Sequence, residues 1–246
     1  MDQDKTIAEL QARLQQSETH NAALQAELEH FVRNVSHDLR APLRHITAYA
    51  PLVREMLTEG EDPSPCLDTL EQSARNMSRM VDALLELSRL SRIALQPAVL
   101  PTAGLVDEAR RELAAEAAGR LIDWQFPADW PEVQADAALL RQVWRHLLSN
   151  ALKFTRPRAQ AQIALGWEQG ADEVVFWVRD NGVGFNPAAS ATMFDLFQRL
   201  HVASEFEGAG VGLALARQIV LRHGGSMQAQ GLVDAGCTVR FSLPTR

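Results

Sequence analysis

The chain has 246 residues, 46% of them hydrophobic, a formal net charge of -7 and an isoelectric point near 5.5. That is enough length to bury a full core in one or two domains. The acidic balance, with no block rich in Lys or Arg, excludes a surface built for the nucleic-acid backbone. Cys66 and Cys237 stand far apart without a CxxC or Cys/His cluster, so neither a disulfide framework nor a zinc site is indicated, and a reducing, cytoplasmic setting fits. No apolar run approaches the roughly 18 residues of a membrane span, and the first residues, MDQDKTIAEL, have no signal-peptide pattern.

From Ile7 the apolar residues recur in alternating steps of three and four: Ile7, Leu10, Leu14, then Leu24, Leu28, Phe31 and Val35, with Ser17 and Asn21 in the seam. This heptad predicts a parallel dimeric coiled coil over 1–30, with the Asn21 amide fixing register. After Val35 the apolar set continues as Leu39, Leu43, Ile46, Ala50, Val53 and Leu57, so two steps of four adjoin. Such a stutter locally unwinds a coiled coil. His37 lies inside the slip, off the seam in both registers, and its side chain should face solvent. Pro42 and Pro51 each remove a backbone donor, which predicts a kink beside His37.

The turn-rich TEGEDPSP at 58–65 precedes a second helical stripe of Leu67, Leu70, Ala74, Met77, Val81 and Leu84. A helical hairpin over 31–95 follows, and two hairpins from a homodimer would close a four-helix bundle. The helical pattern ends near 96–101. Beyond it, a mixed α/β region over 96–246 is predicted to hold helices near 102–117, 137–154 and 210–223. Strands are predicted near 121–126, 160–168, 173–180, 226–231 and 237–243.

Four segments have the composition of a chemical site. In SHDLRAPLRHI at 36–46 an exposed imidazole is followed at once by Asp38. A neutral imidazole nitrogen can attack phosphorus, and the carboxylate can orient the ring. In RQVWRHLLSNALKFT at 141–155, Asn150 and Lys153 share one helical surface, pairing a hard oxygen ligand for Mg²⁺ with a cation for phosphate. VRDNGVGF at 178–185 places Asp180 at a strand end beside Gly182 and Gly184. EFEGAGVGLALARQIV at 205–220 sets Gly208, Gly210 and Gly212 before a helix, where backbone can approach a nucleotide.

In this order the segments resemble the sensor histidine kinases of two-component signalling, in the subgroup whose phytochrome-type members carry SHDLRxPLR and FQRLH. The likeness runs from about Phe31 to Pro244 and comprises an H box, an N box at HLLSNALKFT, a G1 box at DNGVGF, an F box at MFDLFQRLH and a G2 box at GAGVGL. The resemblance implies an α then α+β protein, a coiled coil and phosphoacceptor hairpin followed by a GHKL-type α/β sandwich that binds ATP and Mg²⁺. It implies that His37 accepts the phosphoryl group with support from Asp38, that Asn150 is the Mg²⁺ ligand, and that Lys153 contacts the nucleotide. Asp180 would hold adenine, and Gly182, Gly184, Gly208, Gly210 and Gly212 would border the nucleotide.

The stretch between the glycine clusters resembles an ATP lid anchored by Phe194 and Phe197. The implied partners are a second copy of the chain, the receiver domain of a response regulator, and a sensor module acting through the coiled coil. The linker near 92–101 would let the acceptor and the ATP site swing together. The sequence departs from the family pattern at His146, where many members have a second Asn, and at Ala41, where members that also act as phosphatases often place Thr or Asn.

Overall fold

The computed structural model describes the backbone of residues 2–190, 192–201 and 205–245; up to residue 31 it describes only the side chains of Gln15, Gln25 and Glu29. The side chains of the predicted coiled-coil seam before Val32 therefore lie outside the described residues. Contacts divide the chain into Met1–Met77 and Ser78–Arg246.

In the first unit, α1 (Asp2–Glu59) runs as one helix through Pro42 and Pro51. The missing donors therefore do not end it. A turn containing Gly60 at φ +76° leads into α2 (Ser64–Arg92), whose entry is fixed by Asp62, which accepts from the Ser64 amide at 3.0 Å and its hydroxyl at 2.6 Å. The apolar stripe of the hairpin is left largely open within one chain: Leu43, Leu57 and Leu67 are 49%, 63% and 42% exposed.

The second unit is a two-layer sandwich. Its five-stranded sheet has the order β2 (Ile122–Gln125), β4 (Ala161–Gln169), β5 (Glu173–Asp180), β7 (Gly236–Pro244), β6 (Met227–Leu232). Only the β2·β4 pair is parallel. Helices α3 (Thr102–Glu112), α5 (Ala137–Phe154) and α6 (Gly212–Arg222) form the helical layer, with the short α4 (Ala114–Ala117) beside α3. Alternate residues of β5, Val174, Phe176 and Val178, point into the core, as the period of two requires. All the strands expected from sequence form. The structure adds β1 (Ala98–Pro101) and β3 (Glu132–Ala135), an antiparallel pair of four residues each, too short for alternation to reveal.

Helix α5 organises this unit. Asp136 caps it, accepting from the Leu139 amide at 3.2 Å, and Arg120 closes the other end by donating to the Leu152 carbonyl at 2.6 Å and to Thr155 at 3.0 Å. Its buried face carries Leu140, Val143, Trp144, Leu147, Leu148, Ala151 and Leu152. Trp144 is fully buried, and its ring meets those of Trp130, Phe176 and Phe241 edge-on at centroid distances of 5.8, 5.5 and 5.2 Å.

The segment that the sequence marks as a free linker is instead held down. Leu90 joins the sandwich core, Arg222 donates to the carbonyls of Leu90 and Ile93, and the Gln96 amide donates to Asp136 at 3.1 Å.

Trp144→Ala is expected to destabilise this unit by about 3–5 kcal/mol through the cavity it leaves. Urea unfolding followed by far-UV circular dichroism measures it, and a loss below about 1 kcal/mol would show that α5 does not depend on this contact.

Candidate functional site

The exposed face of α5 forms one wall of a cavity of about 700 Å³. His146, Asn150 and Lys153 recur at helical spacing along that wall. Val178 and Asp180 of β5 and Cys237 and Val239 of β7 also line it, and the loop of Gly208 and Gly210 with the first residues of α6 lines it as well. The volume suits a nucleotide-sized ligand.

Asp180 is 9% exposed at the end of β5, and its carboxylate accepts from the Gly182 amide at 2.8 Å. Burial pushes this carboxyl up to about 6, against the opposing effect of hydrogen bonds from the Gly182 and Cys237 amides. The neighbouring Cys237 thiol is pushed up to about 12, first by burial and then by the charge of Asp180, so it stays protonated and unreactive.

Cations gather elsewhere on the wall. The Lys153 ammonium stands 4.4 Å from the Phe154 ring centroid, and its pKa is lowered by burial and then by Arg199 and Arg156. Arg156 pairs with Glu207 at 2.7 Å, and Arg199 donates to the Phe206 carbonyl at 2.6 Å. Helix α6 starts at Gly212 after Val211 with no side-chain cap, leaving its first amides as donors beside the cavity. At Gly210, φ is +70° and a side chain would meet the Gln198 carbonyl at 2.5 Å, so only glycine fits.

Of the residues singled out from sequence, Asn150, Lys153, Asp180, Gly184, Gly208, Gly210 and Gly212 meet at this one cavity. Gly182 does not lie on its wall. It packs behind Asp180, where a side chain would stand 2.6 Å from the Phe154 carbonyl, so close packing explains the glycine. Phe194 and Phe197 are also off the wall, both buried, and Phe197 holds φ +63°. Part of the predicted lid, Ala191 and Val202–Ser204, lies outside the described residues.

Sequence reasoning missed Arg156 and Arg199, and also Arg158, which fixes the G1 loop by donating to the carbonyls of Asn181 at 2.7 Å, Gly182 at 2.9 Å and Asp234 at 2.8 Å. Arg156 and Arg158 directly follow the N box, a position that could have marked them; nothing local marks the reach of Arg158 to Asp234.

His37 and Asp38 belong to the first unit. The imidazole side chain is 79% exposed, and its Nδ1 lies 3.1 Å from Oδ1 of Asp38. With Nδ1–H donating to the carboxylate, Nε2 keeps its lone pair outward.

No group of three or more His, Cys, Asp or Glu side chains suited to a metal occurs among the described residues. Asn150 on this wall offers a carbonyl oxygen to a divalent cation, and so small a set of protein ligands fits an ion such as Mg²⁺, which retains several waters.

This combination of hairpin, sandwich and cavity defines a phosphoacceptor module joined to a GHKL-type ATP-binding domain. Residues 27–92 match the His Kinase A (phospho-acceptor) domain, and residues 135–246 match the histidine kinase-, DNA gyrase B- and HSP90-like ATPase family. The chain is 35% identical over 239 residues to the methanogenesis regulatory histidine kinase FilI of Methanothrix harundinacea, which spans 96% of this chain and 26% of FilI. It is 31% identical over 225 residues to cyanobacterial phytochrome A of a Nostoc species, across 89% of this chain and 29% of that protein. The chain thus spans under a third of the length of these curated relatives.

Among solved structures, full-length ShkA in complex with AMPPNP superposes with a TM-score of 0.58 at 27% identity, over 86% of this chain and 44% of that one. ThkA in complex with the response regulator TrrA gives 0.63 at 20% identity, over 87% and 61%, a likeness of fold alone. The chain belongs to the sensor histidine kinases of two-component signalling.

The raised pKa of Asp180 has a thermodynamic sign. A carboxyl that binds its proton more tightly folded than unfolded stabilises the fold fully only below its unfolded value of 3.8, and this contribution is lost as pH rises through about 6. The protein without nucleotide should therefore lose stability relative to Asp180→Asn between pH 5 and pH 8, by about 1.4 kcal/mol. Urea unfolding of both proteins at the two pH values gives the difference; a constant offset would refute the assignment.

Proposed function

We propose that this chain is an ATP-dependent protein histidine kinase that phosphorylates His37 and passes the phosphoryl group to an aspartate in the receiver domain of a response regulator. The observation that carries the proposal is the convergence of Asn150, Lys153, Asp180 and the G2 glycines on one cavity, in a chain that also presents an exposed His37 backed by Asp38. The complex of ShkA with AMPPNP supports the choice of nucleotide, and the class of partner is that of TrrA, the response regulator bound by ThkA, a protein of the same fold.

In this reading Asp180, which lies on the wall beside Val178 and Cys237, accepts from the adenine amino group. Asn150 orients the cation through its carbonyl oxygen, while Lys153 and the α6 amides meet phosphate charge. Mg²⁺ would neutralise charge on the phosphate oxygens. Nε2 of His37 attacks the γ-phosphorus in line, the N–P bond forms as the bond to ADP breaks, and Asp38 steadies the Nδ1 proton as positive charge grows on the ring.

The open apolar stripe of the hairpin supports a homodimer closed as a four-helix bundle, since Leu43, Leu57 and Leu67 would otherwise remain in water. We propose the division 1–30 coiled coil, 31–95 phosphoacceptor hairpin and 96–246 catalytic domain, acting in the cytoplasm under a sensor module coupled through the coil. Among the described residues no helix is long and apolar enough to cross a membrane.

Incubation of the purified protein with γ-labelled Mg-ATP should give acid-labile, base-stable protein phosphate. His37→Gln should abolish the label, and Asn150→Ala should lower its rate by at least about a hundredfold, the scale of a lost electrostatic stabiliser. Absence of label in the unaltered protein, or its survival in His37→Gln, would refute the proposal.

A further inference from the structure

The departure at His146 gives the cavity wall a donor of a different chemical kind. His146 and Asn150 are four residues apart on α5 and both line the cavity, which brings their Cβ atoms to about 6 Å, close enough to share one ion. The imidazole Nε2 is buried with no hydrogen-bond partner in the structure. A side-chain carbon at Gly212 would stand 3.1 Å from Nδ1, so the ring is packed against the uncapped start of α6, where phosphate oxygens would sit. Burial, and then the charge of Arg145, holds this imidazole down at about 4, so the neutral ring has a lone pair to offer. A buried nitrogen left without a partner is costly, and a ligand that binds it relieves the cost.

A neutral imidazole carries one N–H and one lone pair: with Nδ1 protonated Nε2 accepts a cation, and with Nε2 protonated it donates to a phosphate oxygen. A cation within reach of both His146 and Asn150 fits the first of these.

We propose that His146 is a nitrogen ligand of the nucleotide-bound divalent cation, shared with Asn150, and that it shifts the site's preference from Mg²⁺ toward Mn²⁺ and Co²⁺. Mg²⁺ is hard and strict about oxygen ligands. Imidazole suits the transition metals, and affinity for it rises from Mn²⁺ to Co²⁺. The proposal rests on reading the cavity as a site for a metal-nucleotide complex.

The test compares the full chain with His146→Asn, which supplies an oxygen donor, and His146→Gln, which keeps more bulk. Calorimetry of ATP binding in Mg²⁺, Mn²⁺ or Co²⁺ gives the metal preference. Electron paramagnetic resonance of the Mn²⁺-ATP complex, prepared with nitrogen-15 histidine, shows whether a histidine nitrogen is bound. Both variants should lower the ratio of Mn²⁺-ATP to Mg²⁺-ATP affinity by about tenfold, the low end of what changes around a bound metal produce. The fall should be larger for Co²⁺, and the nitrogen coupling should vanish. An unchanged ratio in both variants, or absence of nitrogen coupling in the unaltered protein, would overturn the proposal while leaving the nucleotide site intact. Failure of the unaltered protein to bind ATP with any of the three metals would overturn both.

Discussion

The arrangement depends on the roll angle of one helix. Trp144, wedged edge-on against Phe176 and Phe241, fixes α5 about its own axis. Each residue of a helix advances about 100° around the axis. The stripe of His146, Asn150 and Lys153 therefore faces the cavity only because Val143, Trp144 and Leu147 face the sheet. The polar surface is in this sense a by-product of apolar packing. Capping at both ends, by Asp136 and Arg120, holds the helix at the correct axial position as well. Rotation by one residue, about 100°, would turn the apolar face off the sheet and this stripe off the cavity together.

The cavity is also electrically uneven. Asp180 is a buried carboxylate stabilised by amides alone among its named contacts, whereas Lys153, Arg156 and Arg199 crowd one another enough that burial and mutual repulsion lower the pKa of Lys153. A wall with an isolated acceptor at the sheet and a surplus of positive charge beside the glycine loop suits a ligand with a neutral amino-bearing end and an anionic end. Glu207, held by Arg156 at 2.7 Å, partly offsets that surplus. A polyanion would compete with it for the same guanidinium.

What the sequence discloses here is mostly what local periodicity and short spacing encode. The 3.6-residue period from Leu139 to Leu152 and the alternation in β5 are visible because one face of each is apolar. Asn150, Asp180 and the G2 glycines are legible because each sits at the end or on the open face of such an element. Arg120 and the reach of Arg158 to Asp234 are invisible for the opposite reason: the partners lie 32 and 76 residues away in sequence, and no local pattern marks these contacts. Gly182 shows a subtler failure. Its spacing from Gly184 suggests a ligand, but the backbone of Phe154 and not the cavity is what excludes a side chain there.

The clamp on the segment after α2 bears on the mechanics of the molecule. Arg222 is the last residue of α6, whose first residues meet the cavity, and its guanidinium grips the carbonyls of Leu90 and Ile93 at the exit of α2. His223, the next residue, accepts from the Asp136 amide at 3.0 Å, and Asp136 in turn holds Gln96. One short stretch of chain thus ties together the end of the hairpin, the start of α5 and the far end of the helix that faces phosphate. A hinge placed at 92–101 would have to tear these bonds, whereas bending α2 ahead of Leu90 would leave them whole. The last turns of α2 are then better regarded as a rigid lever belonging to the catalytic sandwich than as part of a swivel.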